Sequence, residues 1–277
     1  MFNKVFKYDF KFVFRFWWIF AVITLGVSVL SGLLLRTLIA SANVVEPNVF
    51  VVIVSTLGLV TTMIILVLFP FVAIIANAVR YYKNFFSDEG YLTFTLPVKR
   101  STLLNSKILN AFLFQTLSTI VLILAGITFI YIGSGEALPD ILQLLSQAWA
   151  DLLQTWNGWL TLSICLLPVA LIASTLMGIN VLYLSITIGS VISKRHKVLA
   201  GLGVYFGFTS IISIFQEIIQ TFTVSSLYSM TIYVEDLLDI AQPYSLNVLL
   251  VTLLYAGVAV GAYFINLHCI KNKLNLS

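Results

Sequence analysis

Six apolar runs, at about 16–40, 49–79, 108–132, 159–192, 198–222 and 245–270, alternate along the chain with short segments that hold nearly all of its charge. Each run reaches the roughly 20 residues that a helix needs to cross the hydrocarbon core of a bilayer. The pattern predicts an all-α membrane protein with six transmembrane helices. The alternation also sorts the charges by side. With the N-terminal segment inside, the inner segments hold Lys4, Lys7, Lys11, Arg15, Arg80, Lys83, Lys99, Arg100, Lys107, Lys194, Arg195, Lys197, Lys271 and Lys273, which is fourteen of the fifteen basic residues, against Asp9, Asp88 and Glu89. The outer segments hold Arg36 as their one cation, with Glu46, Glu136, Asp140, Asp151, Glu217, Glu235, Asp236 and Asp239 as anions. Lys and Arg in short loops mark the cytoplasmic side, so both termini are expected there, in a multi-pass protein of the cell membrane.

With 60% hydrophobic and 9% charged residues over 277 positions, the chain lacks the polar surface of a soluble domain, and residues 1–277 read as a single transmembrane domain. The basic residues sit beside span ends instead of forming an aromatic-interleaved patch. Membrane lipids with anionic headgroups, and not nucleic acid, are therefore the expected contact. Cys165 and Cys269 both fall inside apolar runs, which argues against a disulfide framework. The first 42 residues imitate a secretory signal, but the stretch from Phe16 to Leu35 is too long for one and Arg36 interrupts the approach to Ala40-Ser41-Ala42. It reads as an uncleaved first span.

Three segments outside the runs have their own pattern. Over residues 1–15, Phe2, Phe6 and Phe10, continued by Val13 and Trp17, repeat at helical spacing while Lys4, Lys7, Lys11 and Arg15 follow the same period on another face. This predicts an amphipathic interfacial helix along the inner leaflet. Over 133–158, Ile141, Leu145, Ala148, Trp149, Leu152, Trp156 and Trp159 form an apolar face opposite Gln143, Gln147, Asp151 and Gln154, predicting a second interfacial helix on the outer side. Residues 218–244 mix short apolar patches with Ser, Thr and acids, and predict short re-entrant or surface helices. The fourth run, about 34 residues with Pro168, Gly178 and Asn180 inside, would measure about 50 Å as one helix, so it is tilted, broken or continued as a stalk.

Ion-driven transporters keep ionisable residues in the membrane interior to bind or relay the coupling ion. Here Arg36 and Glu217 lie near outer ends and His268 near an inner end, where snorkelling to water is easy. Asn77, Asn180, Asn247 and Gln115 are interior polar groups suited to hydrogen bonds between helices, and Asn77 and Asn180 are candidates for lining a substrate path. The chain has no G-x-x-x-x-G-K-[ST] phosphate loop and not even a Gly-Lys pair, so ATP would have to be hydrolysed by another polypeptide. No catalytic set, metal cluster or cofactor motif is apparent, and the chain is not expected to be an enzyme.

The largest inner loop, 80–107, reads RYYKNFFSDEGYLTFTLPVKRSTLLNSK. Tyr81, Tyr82, Phe85, Phe86, Tyr91, Leu92, Phe94 and Leu96 make it too apolar for a plain connector, and such a patch, if exposed, marks a binding partner. Ser87 or Asp88 can cap a short helix, Gly90 permits close backbone approach, Pro97 ends the element, and Ser101 is placed to cap the helix that follows.

In Glu89-Gly90, the apolar stretch up to Leu96, Pro97-Val98, and Lys107 about ten residues on, the sequence resembles the permease subunits of ABC transporters of the ABC-2 type, those of Gram-positive bacteria most of all. Tyr91 departs from the Thr that often follows the Gly. The resemblance implies a coupling helix, with Asp88, Glu89, Gly90, Tyr91, Leu92, Phe94 and Pro97 docking on a separate ATPase subunit present in two copies. It also implies a second permease, identical or different, with spans one and five at the seam. Gly203 and Gly207 in span five form a small-xxx-small pattern suited to that seam, whereas Gly257 and Gly261 in span six are assigned to packing within the chain. The expected function is the membrane subunit of an ATP-driven exporter of an amphipathic cargo such as a peptide, an antibiotic or a lipid-like molecule. The alternative is a membrane-embedded sensor or assembly protein that holds a cytoplasmic partner without transport.

Overall fold

The computed structural model of the protein describes residues 2–42, 48–87, 89–90, 95, 98–135, 138–154, 156–193, 195–230 and 237–272. Among them are seven helices and no strand: α1 (Phe2–Ala42), α2 (Val49–Phe86), α3 (Arg100–Ser134), α4 (Leu138–Gln154), α5 (Gly158–Ile192), α6 (Lys197–Met230) and α7 (Leu237–Asn272). All but α4 are long and apolar enough to cross a membrane. This is an all-α, six-span protein, and an even number of crossings leaves both termini on one side. The six long helices run for 34 to 41 residues, about 51–62 Å at 1.5 Å per residue. They therefore overshoot a hydrocarbon core of about 30 Å.

The chain divides into two compact units, one built mainly from Asn3–Arg80 and Leu109–Trp149, the other from Tyr81–Ile108 and Ala150–Ser277. In the first, hydroxyl and indole groups clasp the helices at several depths. The Trp17 indole N–H donates to Ser118 Oγ at 2.7 Å, the Ser28 and Thr128 hydroxyls meet at 2.8 Å, and those of Thr37 and Ser55 at 3.0 Å. The first two pairs ascend together along α1 and α3, so those two helices are parallel, and the third ties α1 to α2. Around the first clasp lies an apolar cluster of Val13, Trp17, Ala21, Phe69, Ala73 and Phe114, against which Phe10 and Phe12 pack.

The amphipathic N-terminal segment is helical, as its period predicts, but it is continuous with the first span. Val13 and Trp17 turn into the cluster, and Asp9, only 1% exposed, pairs with Arg80 at 3.0 Å. A segment whose apolar face finds α2 and α3 has less apolar surface left to lay on a leaflet.

In the second unit α5 packs along α7 and α6, around Val181, Leu184, Ile212 and Ala262. Antiparallel α6 and α7 are joined by Asn247 Nδ2 to Thr223 Oγ1 at 2.7 Å and by Tyr255 OH to Gln216 Oε1 at 2.9 Å. At the turn between α5 and α6 the backbones of Gly189 and Gly201 touch, and a Cβ on Gly189 would also lie 2.9 Å from the carbonyl carbon of Ala200. Only glycine permits that approach.

One alternative left open by the sequence closes, and one expectation needs correction. Helix α5 is unbroken from Gly158 to Ile192 despite Pro168, its N-terminus capped by Asn157 Oδ1, which accepts from the Leu160 N–H at 2.8 Å. In place of short separate helices over 218–244, α6 continues to Met230 and α7 begins at Leu237, while 231–236 lie outside the described residues. Pro243 lies inside α7, six residues past its start, where it removes one intrahelical hydrogen bond. Leu138–Gln154 form α4, with no buried residue and with Leu142, Leu145, Trp149 and Leu153 exposed.

Candidate functional site

The inner loop is framed by the end of α2 and the start of α3, and its aromatic content divides at Phe86. Tyr81 and Phe85 are fully buried and Phe86 nearly so. These three are core, not an exposed patch, which corrects the expectation that they present knobs to a partner. The Tyr81 ring stacks on Tyr183 of α5 with centroids 4.1 Å apart and planes 7° from parallel. Its hydroxyl meets Thr187 Oγ1 at 2.8 Å and donates to Asn266 Oδ1 at 3.2 Å, while Thr187 Oγ1 lies 2.7 Å from the same amide oxygen. Tyr183 in turn donates to the backbone carbonyl of Lys107 at 3.3 Å. One buried knot thus holds the end of α2, the first turns of α3, α5 and α7 together.

Backbone carbonyls at the same end are capped by cations. The Arg100 guanidinium donates to the carbonyls of Ile270 and Lys271 at 2.7 and 2.6 Å, closing the last turn of α7. Lys197 Nζ donates to the carbonyl of Phe86 at 3.3 Å, closing α2. A cation at a helix C-terminus satisfies orphan carbonyls and complements the helix dipole. Arg100 and Lys197 therefore help hold these helix ends in place.

Of the proposed docking residues, Glu89 and Gly90 are described, and Asp88, Tyr91, Leu92, Phe94 and Pro97 lie outside the described residues. Glu89 is exposed. Gly90 is buried; its N–H donates to the Ser87 carbonyl at 2.7 Å, and a Cβ there would sit 2.9 Å from the Phe85 carbonyl oxygen. The close approach read from the sequence is present. Ser87 does not cap a following helix but donates back to the Lys83 carbonyl at 2.6 Å. Helix α3 opens on the Lys99 carbonyl, which accepts from Thr102 and Leu103, so Ser101 stands inside the first turn and not at its cap.

The glycine pairs behave differently from the expected division. Nothing lies within 4 Å of a Cβ added at Gly203 or Gly207, and the same is true of Gly257 and Gly261. The first pair is free for a partner chain, but the second is not packed within the chain as expected; that role falls to Gly189 and Gly201. Gly203, Gly207, Ser210, Ile214, Glu217 and Thr221 follow one another at spacings of three and four and are all exposed. At the far end of this face Ile214, Glu217, Ile218, Thr221 and Phe222 line an open groove of about 280 Å³.

Asn77 and Asn180 belong to different units. Asn77 donates to the Ala73 carbonyl at 2.8 Å and accepts from Asn110 Nδ2 at 2.8 Å, so its polar atoms join helices. Asn180 is buried, with no partner for Oδ1. Sequence reading missed Thr187, Asn110 and Asn266. The signal for Asn266 was available, since it falls at helical spacing in the buried stripe Ala259, Ala262, Asn266, Ile270, and a polar residue in such a stripe needs a partner. Compared with known proteins, the chain matches no family model, no curated protein and no solved structure.

Proposed function

We propose that the chain is the membrane-spanning subunit of an ATP-driven exporter of the ABC-2 type, paired with a second permease and with two copies of a separate ATPase. The reading rests on the string from Glu89 to Lys107, and the way its flanks are fastened supports it. Tyr81 on one side and Arg100 on the other connect the loop to α5 and α7. A push delivered to the loop by a cytoplasmic partner would reach these helices through buried, closely packed groups instead of being absorbed by a slack connector. Exposed Gly203 and Gly207 suit close approach of the second permease. The apolar helix surfaces suit an amphipathic cargo moved within or beside lipid. The experiment is co-expression with the candidate ATPase, co-purification, and ATP-dependent movement of a labelled amphiphile in vesicles. A complex that never forms with any cellular ATPase would remove this reading.

A further inference from the structure

Helix α1 carries an internal ruler for membrane depth. Its exposed large side chains are apolar from Phe16 and Trp18 through Val22, Ile23, Leu30 and Leu33, and the next exposed cation is Arg36. The 18 positions from Trp18 to Arg36 span about 27 Å, close to the hydrocarbon thickness of about 30 Å. The lipid boundary is thus fixed near Trp18, with aromatic side chains at interface level. Above it Arg15, Lys11, Lys7 and Lys4 follow on one exposed face, at about 5, 10, 16 and 21 Å beyond the boundary.

The acid of this segment does not offset them. Asp9 is turned inward and bound to Arg80, and none of the four cations has an ion-pair partner among the described residues. A line of unneutralised cations begins where the headgroup layer begins, on a helix continuous with the first span and fastened to its neighbours by the Asp9–Arg80 pair and the Val13–Trp17 packing.

We infer that Arg15 and Lys11, supported by Lys7, form a binding strip for the phosphate groups of anionic phospholipids in the leaflet on the basic side. Arg15 and Lys11 reach phosphate directly by extending along the helix. Lys7 lies within about one Debye length of the headgroup surface, and Lys4 lies at its edge. The strip depends on the six-span reading only, so its failure and that of the transport reading are separable.

The test uses the full chain with Trp149, Trp156 and Trp159 replaced by Phe, which leaves fluorescence from Trp17 and Trp18. In vesicles of phosphatidylcholine with about 30% phosphatidylglycerol, brominated forms of either lipid quench this signal and report relative binding. Phosphatidylglycerol should be preferred, and Lys11→Gln with Arg15→Gln should lower the preference about 25-fold, at about fivefold per cation. Lys4→Gln should lower it by about twofold or less, and Lys11→Arg should leave it unchanged. If the double variant does not fold, raising salt to about 0.5 M should weaken the preference of the parent protein. A preference indifferent to both the substitutions and salt overturns the assignment. So does a double variant that keeps its lipid preference but loses a co-purifying soluble protein, which would make the strip a protein-docking surface.

Discussion

Tyr81 and Tyr183 lie ring over ring, 4.1 Å between centroids, and each spends its hydroxyl on a different helix: Tyr81 on Thr187 and Asn266, Tyr183 on the carbonyl of Lys107. The stack and the hydrogen bonds can be removed separately. Tyr81→Phe keeps the ring and should cost about 0.6–1.7 kcal/mol, the range for side-chain hydrogen bonds between membrane helices. Tyr81→Ala also empties the ring's volume and should cost about 3–5 kcal/mol. Equilibrium unfolding in mixed micelles measures both. Equal costs would mean that the hydroxyl, and not the stack, holds the knot.

The Asp9–Arg80 pair is asymmetric, with side chains 1% and 21% exposed, and Arg80 also lies 4.9 Å from the centre of the Phe12 ring. Arg80→Gln leaves a carboxylate buried and should destabilise the first unit by about 3 kcal/mol. Asp9→Asn leaves a guanidinium that can reach water, and should cost less. Thermal unfolding of the two single variants and the double gives the order, and a double variant worse than Arg80→Gln alone would contradict it.

Exposure separates the glycines into two groups with opposite expected behaviour. Gly189→Ala drives a methyl into the backbone of Gly201 and should cost about 1–3 kcal/mol as the helices part. Gly203→Ala and Gly207→Ala meet nothing in the chain and should leave its stability within about 0.5 kcal/mol. If that face meets a second permease, the same two changes should weaken self-association in vesicles. Cross-linking yield against dilution in lipid distinguishes the outcomes, and unchanged association takes Gly203 and Gly207 out of any seam.

The number and order of spans were legible because each apolar run exceeds what any soluble helix of this composition would carry. Helix ends were not. The runs stop at about 16 and 79, where charges begin, yet α1 joins the amphipathic segment to the first span without a break and α2 continues to Phe86. What carries the helices onward is tertiary: Asp9 finds Arg80, and Tyr81 finds Tyr183, Thr187 and Asn266. Hydropathy counts each residue alone and cannot register a charge neutralised from another helix. The Gly257 and Gly261 pattern failed for a related reason. Small-xxx-small marks a face that could pack closely, but whether its partner is in the same chain depends on helix rotation, which the pattern does not contain.

For the loop, Gly90→Ala places a Cβ 2.9 Å from the Phe85 carbonyl oxygen and should displace the turn that Gly90 closes on Ser87. Gly90→Pro also removes the N–H donated to Ser87. Under the exporter reading both should lower ATPase co-purification, Gly90→Pro more than Gly90→Ala, as should the pair Tyr91→Asp and Phe94→Asp, with membrane insertion unaffected. Undiminished co-purification together with parental transport would detach the loop from coupling.

Energy coupling provides the widest test of the proposed function. The chain has no phosphate-binding loop and few ionisable groups within its spans: Glu217 is exposed on α6, and His268 is exposed one turn before Asn272, which it contacts at 3.2 Å. A carboxylate or imidazole that relays ions across a membrane is held inside the bundle, beside a partner or a water-filled path. Neither residue is so placed within this chain. Reconstituted alone, the protein should neither hydrolyse ATP nor move an amphiphile in response to a pH or sodium gradient. With its ATPase present, cargo should move only when ATP is supplied, and collapsing the ion gradients should change the rate little. Transport driven by a pH jump in vesicles that lack the ATPase, and abolished by Glu217→Gln, would instead identify a secondary transporter whose carboxylate works at the exposed face of α6, covered there by a second chain.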